Sequence, residues 1–125
     1  MSRDIGFGYE LIACEYLQKQ GLVLLEKNFQ SKMGEIDLIM KDKLKNSLVF
    51  VEVKFRQSEK YGLTEDMVTP TKQKRLIRTA KFYLQQKNLY DKIACRFDVI
   101  AIAGNAGPEN PSQKIHWIPN AFETT

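Results

Sequence analysis

Apolar residues recur first at helical spacing and then in short, nearly continuous runs. Ile5, Tyr9, Ile12, Ala13, Tyr16 and Leu17 share one stripe of a 3.6-residue period. That stripe predicts a helix over 5–20, with Gly21 as its C-terminal stop. Residues 22–29, 34–40 and 48–55 are apolar runs of strand length separated by polar stretches. Residues 41–47 are polar and short enough to close a hairpin. Pro70 precedes a second helical stripe over 71–86, made of Leu76, Ile77, Ala80, Tyr83 and Leu84. Residues 97–103 are apolar on both faces after Asp98, as in a buried strand that returns by a helical crossover and pairs in parallel with an earlier one. A Gly/Pro/Asn loop over 103–113 leads to a short edge strand over 115–118. The predicted order is α-β-β-β-α-β with a small C-terminal addition, an α/β fold with a mixed central sheet flanked by helices. No repeat or linker divides residues 1–125, so the expectation is one domain.

Composition narrows the class. The chain is 43% apolar over 125 residues, enough for a core without disulfides or a structural metal. Cys14 and Cys95 are too few and too far apart for a zinc cluster or a disulfide framework, and read as reduced packing residues of a cytosolic protein. No apolar run reaches membrane-spanning length and the N-terminus has no signal-peptide stretch, so no membrane partner is expected. The net charge of +4 favours a polyanionic partner, although many basic proteins never touch nucleic acid.

The chemistry concentrates in one stretch. In Leu48-Val49-Phe50-Val51-Glu52-Val53-Lys54-Phe55, alternation sets Val49, Val51, Val53 and Phe55 on one face. The other face carries Leu48 and Phe50, then Glu52 and Lys54. A strand that turns from apolar to charged on one face runs from core into cleft. The preceding strand, Gly34-Glu35-Ile36-Asp37-Leu38-Ile39, sets Glu35 and Asp37 on one face. A hairpin about Lys43 and Leu44 places Glu35 opposite Glu52, and a two-residue shift places Asp37 there instead. Carboxylates facing each other across a ladder are destabilising unless neutralised. Magnesium or manganese, which prefer hard oxygen ligands, would neutralise them. Lys54 could then reach a metal-bound water or a substrate phosphate, an arrangement suited to phosphodiester hydrolysis.

Asp37 with Glu52-Val53-Lys54, on adjacent strands between two helices, resembles the signature of the PD-(D/E)XK nuclease superfamily. Gly8-Tyr9-Glu10 with Ala13 and Leu17, Gly34 to Ile39, Phe50 to Arg56, Lys72-Gln73 with Arg75-Leu76, and Arg96-Phe97-Asp98-Val99 more narrowly resemble the YraN-like family of small predicted endonucleases. Ile36 stands where the superfamily name has proline. The resemblance covers nearly the whole chain. It implies a restriction-endonuclease-like fold, magnesium dependence and a nucleic-acid substrate, DNA by analogy with Holliday-junction resolvases and branched by the same analogy. By analogy with the dimeric resolvases a homodimer is possible, and the resemblance points to a metal shell of Asp37, Glu52, the Val53 carbonyl and Glu10; Glu35 is a candidate to sit one step outside that shell and position other groups.

Each assignment has a plainer counterpart. Glu52 and Lys54 also suit an exposed ion pair, and Glu10 a solvated helix glutamate. Lys72, Lys74, Arg75, Arg78 and Lys81 suit a solvated basic face as well as contacts to DNA phosphates. Lys72, at the helix start, is the strongest of these, and Arg56 is a further candidate for a phosphate contact. Asp98 reads as structural, bonded near the sheet edge or paired with Arg96, and His116 as a packing residue. Tyr61 and Gly62, within 57–69, could flank a substrate. The competing function is a non-catalytic nucleic-acid-binding or scaffold module that retains the fold. Glycine-rich phosphate loops, zinc-binding His pairs and nucleophile–His–acid sets are missing from the sequence.

Overall fold

A computed structural model describes residues 2–56, 68–103 and 114–122, and the side chains from residue 8 onward. Tyr61, Gly62 and most of the 103–113 loop lie outside these residues. The elements are α1 (Ser2–Lys19), β1 (Leu22–Ser31), β2 (Gly34–Asp42), β3 (Ser47–Arg56), α2 (Pro70–Gln86), β4 (Ala94–Ala103) and β5 (Lys114–Ile118). The expected α-β-β-β-α-β core is therefore present, with β5 as the C-terminal addition. The five strands form one mixed sheet in the order β1-β2-β3-β4-β5. Every pairing is antiparallel except β3 with β4, which is parallel and is connected through α2.

Each helix covers one face of the sheet. Tyr9, Ala13, Cys14 and Leu17 of α1 are buried against Leu38, Met40, Val49, Val51, Ile100 and Ile102. On the other face, Leu76, Ala80, Tyr83 and Leu84 of α2 meet Ile36, Ile39, Leu48, Phe50 and Phe97. Burying one such aliphatic or aromatic side chain contributes roughly 1.5–3 kcal/mol. A run of ring contacts crosses the α2 side: Phe29 and Phe50 each meet Tyr83 edge-on at 5.1 and 6.1 Å, and Phe50, Phe97 and Phe122 stack at 5.3 and 4.9 Å. The strand alternation read from 48–55 holds, with Val49 and Val51 under α1 and Leu48 and Phe50 under α2.

Local signals set the element ends. Gly21, at φ 103°, closes α1, and its N–H bonds the Gln18 carbonyl at 3.0 Å. Thr69 caps α2 by accepting the Lys72 N–H, and Pro70 occupies the first turn, where its missing N–H costs nothing. Gly34, at φ 152°, holds a backbone conformation that strains any side chain, and a Cβ there would crowd Thr79 Oγ1 at 3.3 Å. The start of β2 is thus held tightly against α2, close to Glu35 and Asp37.

Candidate active site where β2 and β3 part

The β2–β3 ladder runs from Asp42↔Ser47 to Leu38↔Val51. One further step along the same register sets Asp37 against Glu52. The structure therefore selects the shifted hairpin, not the one turning about Lys43 and Leu44. The turn that fixes it contains Asn46 at φ 50° and an Asp42 carboxylate that accepts the Lys45 N–H at 3.3 Å. Beyond Leu38 the backbone ladder stops, and the Asp37 side chain takes over: its Oδ2 accepts the Val53 N–H at 2.8 Å. Asp37 thus lies in the opening between two strands.

That opening is reached from both faces of the sheet. Glu10, on α1, lies close enough to Asp37 for the two carboxyl groups to act on each other. Glu52 lies on the α2 side, 5% exposed, where its Oε2 pairs with Lys72 Nζ at 3.1 Å and Lys54 Nζ at 3.6 Å. Glu35 is exposed, meets the Gln30 amide at 3.5 Å, and adds its charge to the same region. Asp37, Glu52, Lys54, Glu10 and Val53 are therefore brought together. The part of Val53 that the geometry engages is its N–H.

The site is short of compensating charge. Burial, and next the Glu52 carboxylate, push the Asp37 carboxyl up to about 8, with Glu10 and Glu35 adding to the rise and the Val53 N–H opposing it. Glu10 is also raised, mainly by burial, against the Asp37 and Asn28 side chains, which lower it. Both shifts work against a negative charge on either carboxyl group, one buried and the other half-buried, as long as no cation is present. Lys72 loses solvent on partial burial, yet Glu52, Asp37 and Glu35 hold its ammonium above the ordinary lysine value. A cation in the first turn opposes the helix dipole, so Lys72 stays there because the carboxylates face it. Among the described residues, no three acidic, His or Cys side chains are gathered closely enough to hold a metal ion as they stand. Two lysines meet Glu52 instead.

The remaining assignments separate clearly. Lys74, Arg75, Arg78 and Lys81 are exposed along α2, whose first turn has no acidic residue. Arg75 also lines a cleft of about 490 Å³ with Gln30, Lys32, Met33 and Glu35 at the β1–β2 turn, beside the carboxylates. Lys32 was invisible to periodicity because a turn lysine carries no pattern. Arg56, at the end of β3, donates to the Phe55 carbonyl at 3.1 Å. Asp98 is structural as expected and bonded to Arg96. Cys14 and Cys95 are free. Among the described residues, no helix is long and apolar enough to cross a membrane.

Comparison with known proteins places these residues in a wider set. Residues 9–102 match the profile of a family described as "Uncharacterised protein family UPF0102". A UPF0102 protein of Coxiella burnetii (strain RSA 331 / Henzerling II) is 48% identical over 123 residues, covering 98% of this chain and 95% of the relative. Similar proteins from Vibrio parahaemolyticus serotype O3:K6 and Clostridium botulinum (strain Loch Maree / Type A3) are 44% and 42% identical. They cover 96% and 98% of this chain, and 93% and 96% of their own lengths.

Proposed function

The chain belongs to the UPF0102 family, the YraN family its motifs resemble, and we propose that it is a metal-dependent endonuclease that hydrolyses DNA phosphodiester bonds. The observation that carries this reading is the charge deficit at Asp37. A carboxyl group pushed up to about 8 by burial and by three neighbouring carboxylates is a poor structural element and a good half-made cation site. The donor set is entirely hard oxygen, which fits magnesium or manganese. Asp37, Glu52 and Glu10 would hold the ion, with the Val53 carbonyl as a further donor and Glu35 outside. A bound divalent cation supplies Lewis acidity toward a phosphoryl oxygen and an activated water near neutral pH.

The chain's own residues supply the rest. Lys54, held on the Glu52 side, would orient the attacking water and offset charge developing on the phosphate. Lys72 is free to leave Glu52 for a substrate phosphate once another cation neutralises that carboxylate. Lys74, Arg75, Arg78 and Arg56 would hold the DNA backbone without reading sequence. The cleft between the β1–β2 turn and Arg75 extends this surface away from Asp37. A branched substrate follows from the resolvase analogy alone.

One observation favours the second reading, a nucleic-acid-binding module without catalysis: Glu52 Oε2 already has two lysine partners. The experiment that separates the two is cleavage of labelled duplex, single-stranded, flap and four-way-junction DNA in magnesium or manganese. Wild type should cut at least one substrate, and Asp37→Ala and Lys54→Ala should each remove that cleavage. Binding without cleavage of any substrate would transfer the assignment to the binding module.

A further inference from the structure

Asn28 lies within β1 but has φ 52°, a left-handed conformation that interrupts an extended strand. Among non-glycine residues asparagine tolerates this conformation best, yet it remains uncommon and needs a local reason. The pairs on either side, Lys27↔Leu38 and Phe29↔Ile36, are intact, and between them stand Asn28 on β1 and Asp37 on β2. Residues two apart on a regular strand share a face. Here they do not: Leu38 belongs to the core under α1 and Ile36 to the core under α2. On β1 the same change occurs, since Lys27 stands opposite Leu38 on the α1 side while Phe29 packs with Tyr83 of α2. The two-stranded ribbon turns over at this one step. That step is also where Asp37 leaves the ladder to accept the Val53 N–H. The side chain of Asn28 meanwhile lies beside the Glu10 carboxylate and favours its charge.

We propose that Asn28 is a positioning residue of this site: its left-handed backbone turns the β1–β2 ribbon so that Asp37 enters the gap between β2 and β3, and its amide fixes Glu10 against Asp37. The inference rests on the nuclease reading for its consequence in catalysis, but its geometry is independent of that reading. Two separable contributions come from one residue. Glycine at this position keeps the backbone conformation and loses the amide. Alanine loses both, and a conformation with positive φ then strains the strand.

The test compares Asn28→Gly and Asn28→Ala with wild type in thermal unfolding across a magnesium and manganese titration, and in cleavage kinetics. Asn28→Gly should keep a melting temperature close to wild type. It should raise the metal concentration for half-maximal thermal stabilisation by roughly 10–100-fold, as loss of a group that orients a ligand does. Its kcat at fixed metal should fall while the KM for DNA stays unchanged. Asn28→Ala should show the same losses and also melt at lower temperature. Wild-type metal dependence in Asn28→Gly would overturn the proposal. If wild type neither cuts DNA nor responds to metal, the nuclease reading fails, and the Asn28–Glu10 pair is judged by a double-substitution cycle. Asn28→Ala and Glu10→Gln should then lower the melting temperature together by less than the sum of their separate effects. Additive effects would overturn the pairing.

Discussion

Asp98 on β4 is 1% exposed, and both its oxygens are bonded. Arg96 Nε donates to Oδ1 at 3.0 Å and Oδ2 at 3.3 Å, Trp117 Nε1 to Oδ2 at 2.9 Å, and the Asn120 N–H to Oδ1 at 2.9 Å. Arg96 also reaches Asp42 at 3.0 Å, and the Asp42 carboxyl, despite some desolvation, is held below the usual range by that guanidinium and by the Lys45 N–H. Asp37, on β2, is 9% exposed and accepts a backbone bond from Val53, while Glu52, Glu10 and Glu35 all push against its charge. One aspartate is surrounded by donors, the other by acceptors. A buried charge whose hydrogen bonds are all provided ties elements together, here β2, β4, β5 and the residues after β5. A buried carboxyl group left short of donors costs stability, and persists where a ligand or reaction makes use of it. The same residue type in the same sheet thus separates into fastening and candidate chemistry by its neighbours.

The comparison is sharpened most by removing each carboxylate in turn. Asp37→Asn should lower cleavage by about 1000-fold or more, the scale of several kcal/mol in transition-state stabilisation, and leave unfolding stability at pH 7 unchanged or increased. Asp98→Ala should do the reverse. It should destabilise the fold by about 3 kcal/mol in urea unfolding, because Arg96 is left under-compensated, and spare cleavage at temperatures where the protein stays folded. Equal losses of stability in the two variants would break the distinction.

A pH series tests the same contrast. The Asp37 carboxyl lies near 3.8 when unperturbed and is raised to about 8 in the folded chain, so between those values the folded state binds more protons than the unfolded state. Stability without metal should therefore be greatest near pH 4 as far as this group is concerned. It should decline as pH rises toward 8 and then level off. Asp37→Asn should flatten that decline. Magnesium should flatten it too, since ligation displaces the proton. A wild-type stability that rises from pH 5 to 8 without metal would contradict the raised carboxyl.

Smaller effects belong to the lysines and arginines around the site. Lys72→Ala should cost no more than about 1 kcal/mol, because the lysine side chain is substantially exposed. It should also lower the metal concentration needed for half-maximal thermal stabilisation, since a competing cation is removed from Glu52. Arg78→Ala should leave both stability and metal response unchanged. It should weaken DNA binding uniformly across sequences and reduce the slope of log affinity against log salt by about 1.

Much of this was legible in the residues. Helical stripes and strand alternation depend on local geometry, so both helices, all five strands and the two faces of β3 follow from spacing. Element boundaries moved by a few residues, as with β4, which begins at Ala94 and not at Phe97. The grouping of Glu52 with Lys54 is equally local, two positions apart on one face. The hairpin register was not. A two-residue slip keeps every side chain on its own face, so periodicity is blind to it. Only the 43–46 turn and the packing of both cores chose Asp37 as the partner of Glu52.

The contacts of Glu10, Asn28 and Lys72 lie further still from anything a pattern encodes. They join α1, β1 and α2 to a gap in the middle of the sheet. Regular alternation predicts that Ile36 and Leu38 share a face, and the left-handed turn at Asn28 overrides it. The sequence alone determined which elements form and which residues can carry charge on them, because those properties repeat with the backbone's own period. Tertiary structure decided which charges meet, because the sheet and helices must first bury their apolar faces, and Asp37 takes its place only where that packing opens the ladder.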